Sequence, residues 1–287
     1  MTRQPLVAKR AEELLGSAVV STAPVAGGDI ATATRLRLST GQMALMKTVA
    51  HAPEGFFEAE AAGLRWLAEV PDGVRVPDVL AASADCVILA WVEPTPKHHP
   101  ETAIGFGQAL AATHRAGAAT FGFEHDGFIG RLPMPNTACD TWPEFYAVRR
   151  VLPYLKLARD RGAVTEGEAT TVESVIGRLA ALIPDEPPAR LHGDLWNGNC
   201  LWGLDGAVHA IDPAAHGGHR EVDLAMLHLF GLPHLPRVMQ AYDEVHPLAD
   251  GWEDRLPLHQ LFPLLVHACM FGGGYGARAA AVAARFA

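Results

Sequence analysis

Two short stretches constrain this chain more than any other part of it: Leu191-His192-Gly193-Asp194-Leu195-Trp196-Asn197-Gly198-Asn199, and Ala210-Ile211-Asp212-Pro213-Ala214. Between them lie Cys200-Leu201-Trp202 and the segment Ala207 to Ile211, joined by Gly203-Leu204-Asp205-Gly206. Two short apolar runs around a glycine-bearing turn predict a hairpin. A hairpin returns its outer ends to one place, so Asn199 and Asp212 are expected side by side. Asp194 precedes Asn199 by a single short loop, and the fold must gather all three oxygen-bearing side chains.

That trio has a chemical meaning. Protein kinases use an Asp that accepts the proton of the substrate hydroxyl, an Asn five positions later on a metal, and a further Asp on Mg²⁺. Asp194, Asn199 and Asp212 repeat this order and spacing. A triphosphate crowds negative charge into one pocket, and oxygen ligands must hold Mg²⁺ against it. The expected roles are Asp194 as catalytic base and Asn199 and Asp212 as metal ligands, with ATP and Mg²⁺ as cofactors.

The wider motif is His192-Gly193-Asp194-Leu195-Trp196-x-Gly198-Asn199, then Asp212-Pro213-Ala214-x-x-Gly217-x-His219-Arg220-Glu221-Val222-Asp223-Leu224-Ala225-Met226. It resembles the fructosamine kinase (ketosamine 3-kinase) family, within the broader group of aminoglycoside phosphotransferase and choline kinase relatives. The resemblance runs from about Gly27 to Tyr275. It implies an α+β, two-lobe protein-kinase-like fold: a small nucleotide-binding lobe over 1–92, built of antiparallel sheet and one helix, and a larger, mostly helical catalytic and substrate-binding lobe over 93–287. It implies phosphorylation of the sugar 3-hydroxyl of ketosamines, such as fructosamine or ribulosamine adducts of lysine, on a free metabolite or a protein. Elimination of that 3-phosphate would make the role deglycation. The alternatives are a kinase for an aminoglycoside or choline, and a nucleotide-binding pseudokinase.

The first ninety residues read as alternating strands around one helix. Residues 3–15 suggest a short amphipathic helix, and strands are predicted at Ala18 to Thr22, Ala31 to Leu38 and Gln42 to Val49. Gly27, Gly28 and Asp29 form a turn whose backbone N–H groups could approach a phosphate, although a plain hairpin turn explains them as well. Strand alternation puts Met43, Leu45, Lys47 and Val49 on one face. A lysine in an apolar row requires an anion, because an unpaired buried ammonium is costly. In the helix predicted from Phe56 to Glu69, Phe57, Glu60, Leu64 and Leu67 share the inward face and Glu58 points elsewhere. Lys47 and Glu60 therefore answer to the kinase Lys–Glu pair that steadies the phosphates. A strand is expected over Val74 to Leu80, placed at an edge by its proline, and another over Cys86 to Val92. By analogy of topology, Trp91 and Glu93 sit at the hinge that meets adenine, stiffened by Pro94 and Pro96.

Beyond the hinge the chain reads as helices: Glu101 to Gly117, one running through Arg149-Arg150, Thr165 to Ile183, Val222 to Phe230, and Trp252 to Phe271. Between the first two, Phe121-Gly122-Phe123 to Gly130 and the stretch up to Phe145 form a loop rich in turn residues and aromatics, suited to binding a sugar. The resembling family carries Phe-Gly-Phe, Pro-x-x-Asn, Trp followed by Phe, and an Arg pair here. The acceptor-binding candidates are accordingly Asp126, Trp142, Phe145, Arg149 and Trp196. Met134 and Pro153-Tyr154 depart from the family pattern and leave the preferred ketosamine open. An acid in a buried helix needs donors, so Asp223 is expected to brace the catalytic loop, with His192 in a supporting role. His216 and His219 lack further spaced ligands for zinc.

Composition sets the outer limits. A net charge of −9 disfavours nucleic acid or anionic lipid as partner. Cys86, Cys139, Cys200 and Cys269 are widely spaced, which suggests reduced thiols. With no apolar run suited to a signal peptide or a membrane span, a cytoplasmic location is expected.

Overall fold

The structure is a computed structural model that describes residues 4–26 and 30–287. Gly27, Gly28 and Asp29, the expected phosphate turn, lie outside the described residues. The N-terminal region comprises α1 (Gln4–Leu15), β1 (Val19–Val25), β2 (Thr32–Leu38), β3 (Met43–Thr48), α2 (Phe56–Ala68), β4 (Val79–Ser83) and β5 (Cys86–Ala90). Its five strands form one antiparallel sheet in the order β1-β2-β3-β5-β4. The period-two alternation of the strands sorts their side chains into two layers. Ala44, Met46, Cys86 and Ile88 pack with Leu36 and with Ala11 of α1, whereas Val87 and Leu89 on the opposite face meet Phe57, Ala61 and Leu64 of α2. Each such large side chain contributes roughly 1.5–3 kcal/mol by leaving water.

The C-terminal region begins with α3 (Pro100–Ala116), β6 (Gly127–Ile129) and β7 (Leu132–Met134). Helix α4 (Trp142–Phe145) runs through a π-helical turn at Tyr146–Val151 into α5 (Leu152–Asp160), followed by α6 (Glu166–Ile176), α7 (Leu179–Leu182) and β8 (Ala189–Leu191). After the 3₁₀ turn Asn197–Asn199 come β9 (Cys200–Trp202), β10 (Val208–Ala210), β11 (His216–Gly218), α8 (Glu221–Phe230), α9 (Leu235–Val245), α10 (Trp252–His259), α11 (Leu261–Phe271) and α12 (Tyr275–Ala283). Two cores hold this region. One joins β8 to α4, α5, α6 and α11, and the other joins α3, α8 and α9 to the β9–β10 hairpin. No helix among the described residues is long and apolar enough to cross a membrane.

Three elements differ from their sequence expectation. The edge strand starts at Val79 rather than Val74, because Pro77 has no N–H to offer a ladder, and the preceding Arg75 bridges to His209 instead. The helix expected over 165–183 breaks at Gly177 into α6 and α7. The one expected over 252–271 divides at Gln260 into α10 and α11, with Pro257 inside the first.

Candidate active site

The β9–β10 hairpin forms as its turn residues predict, with Trp202 opposite Val208 and Cys200 opposite Ala210. The Ile211 amide donates to the Asn199 carbonyl at 2.9 Å, which extends the pairing to the residues flanking the site. Leu195, Cys200 and Trp202 are buried in the core below, and Trp196, Asn199 and Leu201 between them face a cleft of about 1040 Å³. Asp194, Asn199 and Asp212 all line it. The Asn199 amide nitrogen donates to the Asp194 carbonyl at 2.8 Å and to its carboxylate at 3.0 Å, and no donor among the described residues reaches the Asn199 side-chain oxygen. Burial is the main cause that raises the Asp194 pKa well above the carboxylate range; the Asn199 hydrogen bond opposes it, and the charges of Asp212 and Asp223 add to it.

Lys47 arrives from β3 on the opposite wall. Its Nζ lies 2.7 Å from Glu60 Oε1 of α2 and 2.7 Å from Asp212 Oδ1. Burial works against the ammonium, but the two carboxylates outweigh it and the Lys47 pKa is raised. Glu58 is exposed on the helix, as its spacing from Glu60 predicts. Helix α2 is also gripped from the C-terminal side. The ring of Phe56 lies 5.1 Å from Phe128, Trp66 lies 4.9 Å from Phe123, and the Arg190 guanidinium covers Trp66 at 4.4 Å while donating to its carbonyl.

The loop that carries Asp194 is braced from behind. Asp223 accepts from the amides of His192 (2.8 Å) and Gly193 (2.9 Å), and from His114 Nε2 (3.2 Å). Burial would raise its pKa, yet His114, His192 and the Gly193 amide hold it below the ordinary value. His192 Nε2 meets the Ile211 carbonyl at 2.9 Å, so that nitrogen carries the proton and Nδ1 accepts from the Asp194 amide at 3.2 Å. One neutral imidazole thereby ties the loop of Asp194 to the strand leading into Asp212. Gly193 has φ +82°, and a Cβ there would run into the Ala214 carbonyl. Asp212 itself adopts φ +56°, a left-handed conformation that Asp tolerates better than most residues.

At the far end of the cleft the Trp91 amide donates to Met43 and the Leu204 amide to the Glu93 carbonyl. The Trp91 carbonyl and the Glu93 amide have no backbone partner among the described residues, and Trp91 lines the cleft. The Trp91 indole donates to the Glu93 carboxylate at 2.8 Å.

The expected acceptor residues divide. Asp126 and Trp196 line the cleft. Trp142 and Phe145 are corrected to core residues: they are 2% and 0% exposed, because their apolar rings pack on Tyr146, Phe121 and His216. Arg149 is not in the cleft wall and donates to the Thr137 carbonyl at 3.2 Å. Its neighbour Arg150 is fully buried between Phe145 and Phe262 and holds Pro135 and Asn136. Arg131, Arg149 and Arg150, the arginines of segment 121–150, all stay out of the lining. Sequence reasoning missed His267, Met270 and Phe271, which wall the cleft from α11. The glycine run after Phe271 was the available signal, since it ends that helix at the cleft mouth.

A buried cluster of His219, Glu221 and His259 has three potential ligand atoms within 4.8 Å of one another. The two imidazoles stack 5.0 Å apart at 17°, so their in-plane lone pairs do not converge, and Arg255 already occupies Glu221 at 2.7 Å. It reads as a structural stack.

The sequence profile of the family described as fructosamine kinase matches residues 4–286. A probable ketoamine kinase of Thermus thermophilus is 38% identical over 253 residues, 88% of each chain. A solved structure from Thermobifida fusca described as a candidate fructosamine-3-kinase superposes with a TM-score of 0.92 at 50% identity, covering 96% of both chains. A macrolide 2'-phosphotransferase type I shares the fold, with a TM-score of 0.66 at 18% identity over 99% of this chain and 96% of its own.

Proposed function

Because the chain belongs to the fructosamine kinase family, we infer that its cleft moves the γ-phosphoryl group of ATP to the sugar 3-hydroxyl of a ketosamine. The protein is an ATP-dependent phosphotransferase acting on ketosamines. One geometric observation supports the assignment of residues. Lys47 lies 2.7 Å from both Glu60 and Asp212, and Asn199 holds Asp194 at 3.0 Å in the same cleft. In this reading residues 1–92 bind the nucleotide and residues 93–287 carry the base and the acceptor end.

The donor set fits Mg²⁺. The carboxamide oxygen of Asn199 and the carboxylate of Asp212 are hard ligands of the kind that ion takes, and Lys47 engages only Oδ1 of Asp212, whose Oδ2 has no hydrogen-bond donor among the described residues. When bound, Mg²⁺ supplies neutralisation of phosphate charge. Lys47, oriented by Glu60, steadies the α- and β-phosphates. The Trp91 carbonyl and Glu93 amide, two residues apart and unpaired, offer an acceptor and a donor to the edge of adenine. Asp194 takes the proton of the acceptor hydroxyl as its oxygen bonds to the γ-phosphorus and the bond to the ADP oxygen breaks. Its raised proton affinity suits that task. The 3-phosphate of the product, on a free or a protein-bound amine, then leaves as inorganic phosphate as C1 loses a proton, and water hydrolyses the resulting imine to release the amine.

ATP consumption against fructosyl-lysine, ribulosyl-lysine, kanamycin and choline tests the reading, with turnover expected on the two ketosamines. Asp194→Ala should reduce kcat by about 10² to 10⁴. A variant within tenfold of the parent would remove Asp194 from its role.

A further inference from the structure

The acceptor end of the cleft carries a feature that phosphoryl transfer does not require. Trp196 lies two residues beyond Asp194, with its indole over Gly198, where a Cβ would strike the ring. Trp196 packs edge-on against Phe230 at 5.7 Å and 61°, Phe230 on His267 at 5.0 Å, and His267 on Phe271 at 5.5 Å and Tyr275 at 5.1 Å. The rings touch in one chain, in which Phe230 and Tyr275 stand outside the cleft lining and support the rings that face it. Trp196, His267 and Phe271 face the cleft, and Phe271 is 54% exposed, unusual for so large an apolar side chain. His267 Nδ1 is engaged with the Pro263 carbonyl at 2.7 Å, and burial lowers its pKa, so the ring belongs to an uncharged surface.

The second observation is electrostatic. Among the described residues lining the cleft, Lys47 is the only lysine or arginine, and both Glu60 and Asp212 hold it. The acceptor end has Asp126 beside the exposed imidazole of His125, and no lysine or arginine among the described residues to meet an anionic substrate group. A carboxylate brought here would lose water without gaining a partner.

We propose that this enzyme selects ketosamines whose amine portion is an aromatic or alkyl group free of a carboxylate beside the ketosamine nitrogen. The ketose lies against Asp194 and the amine substituent lies along the Trp196–His267–Phe271 ledge. The inference rests on the ketosamine kinase reading and names the substrate class within it.

Three N-(1-deoxyfructosyl) adducts separate the contributions: methylamine lacks the ring, benzylamine has it, and phenylalanine has both the ring and an α-carboxylate. The benzylamine adduct should exceed the methylamine adduct in kcat/KM by about three- to tenfold, the range expected for one aromatic contact, mainly through KM. The phenylalanine adduct should fall below benzylamine by about tenfold or more, the size of an unpaired charge penalty. Phe271→Ala, at a half-open position that does not threaten folding, should remove the benzylamine-to-methylamine preference. Equal kcat/KM for the three adducts, or a preference untouched by Phe271→Ala, overturns the inference while leaving the kinase reading intact. Absence of turnover on all three, with turnover on fructosyl-lysine, overturns the inference alone, and absence of turnover on fructosyl-lysine and ribulosyl-lysine as well overturns both.

Discussion

Single residues here act through what they hold in place. Asp194 owes its position to His192, whose one proton goes to Ile211 and whose free nitrogen takes the Asp194 amide. Both amides before Asp194 are in turn pinned by Asp223, which is 0% exposed and also receives His114. Tyr242 completes the chain with a 2.8 Å hydrogen bond to His114. Replacing Asp223 by Ala leaves three buried donors without an acceptor. The expected cost is about 3–5 kcal/mol of stability, with a fall in kcat, and Asp223→Asn should recover only part of it. Denaturant unfolding of the three proteins checks this, and a loss below about 1 kcal/mol would contradict the bracing role. The left-handed backbone of Asp212 belongs to the same scale, since local strain of this kind concentrates at working sites.

At the scale of elements, the β9–β10 hairpin and α2 set the positions of Asp194, Asn199, Asp212 and Glu60. The hairpin is anchored below by Leu195, Cys200 and Trp202, and at its tip by the hinge, through Thr95 to Trp202 and Leu204 to Glu93 at 2.8 Å each. Substituting Leu195, 0% exposed directly after Asp194, by Ala should cost about 2–5 kcal/mol and reduce kcat, because the loop would settle into the space left. Thermal unfolding and steady-state kinetics on one variant read both effects, and an unchanged kcat would show that the core does not set the position of Asp194. Helix α2, held by Phe123, Phe128 and Arg190, keeps Glu60 beside Lys47 without help from a ligand.

For the whole molecule the clearest consequence concerns acid. Burial, reinforced by Arg150, pushes His216 down to about 3, and burial beside His259 does the same to His219. In the unfolded chain each titrates near 6.5. Between pH 6.5 and 3 the unfolded state therefore binds more protons than the folded one, so stability rises with pH there and is lost on acidification. Glu221 acts in the same direction lower down. Burial opposes its charge, but His259 and Arg255 bring it to about 2, so its contribution, present above about 4.5, is lost as pH falls towards 2. Stability measured at pH 4 to 6 should change more shallowly in His216→Asn, by about 1.4 kcal/mol per pH unit, one proton's worth. An unaltered slope would mean that His216 is not buried neutral.

Residue order alone determined the strand periods, the hairpin, the Lys47–Glu60 pairing and the identity of the oxygen trio. Each depends on contacts a few residues apart, or on a charge whose burial demands a partner. The hairpin turn carries its own glycines, and the face of α2 follows from a period of 3.6. The acceptor wall was not legible in this way. Trp142 and Phe145 look like sugar-stacking aromatics in a loop, but an aromatic side chain has no local signature that separates core from cleft, and long-range packing of Trp142 on His219 and His259 and of Phe145 on His216 buried them. The same packing drew Arg150 inward and brought Phe271, 77 positions after Asp194 in the chain, to the mouth of the same cleft. Which aromatics and which charges face the substrate was decided only when distant helices met, because burial is a property of the assembled surface and not of any stretch of chain.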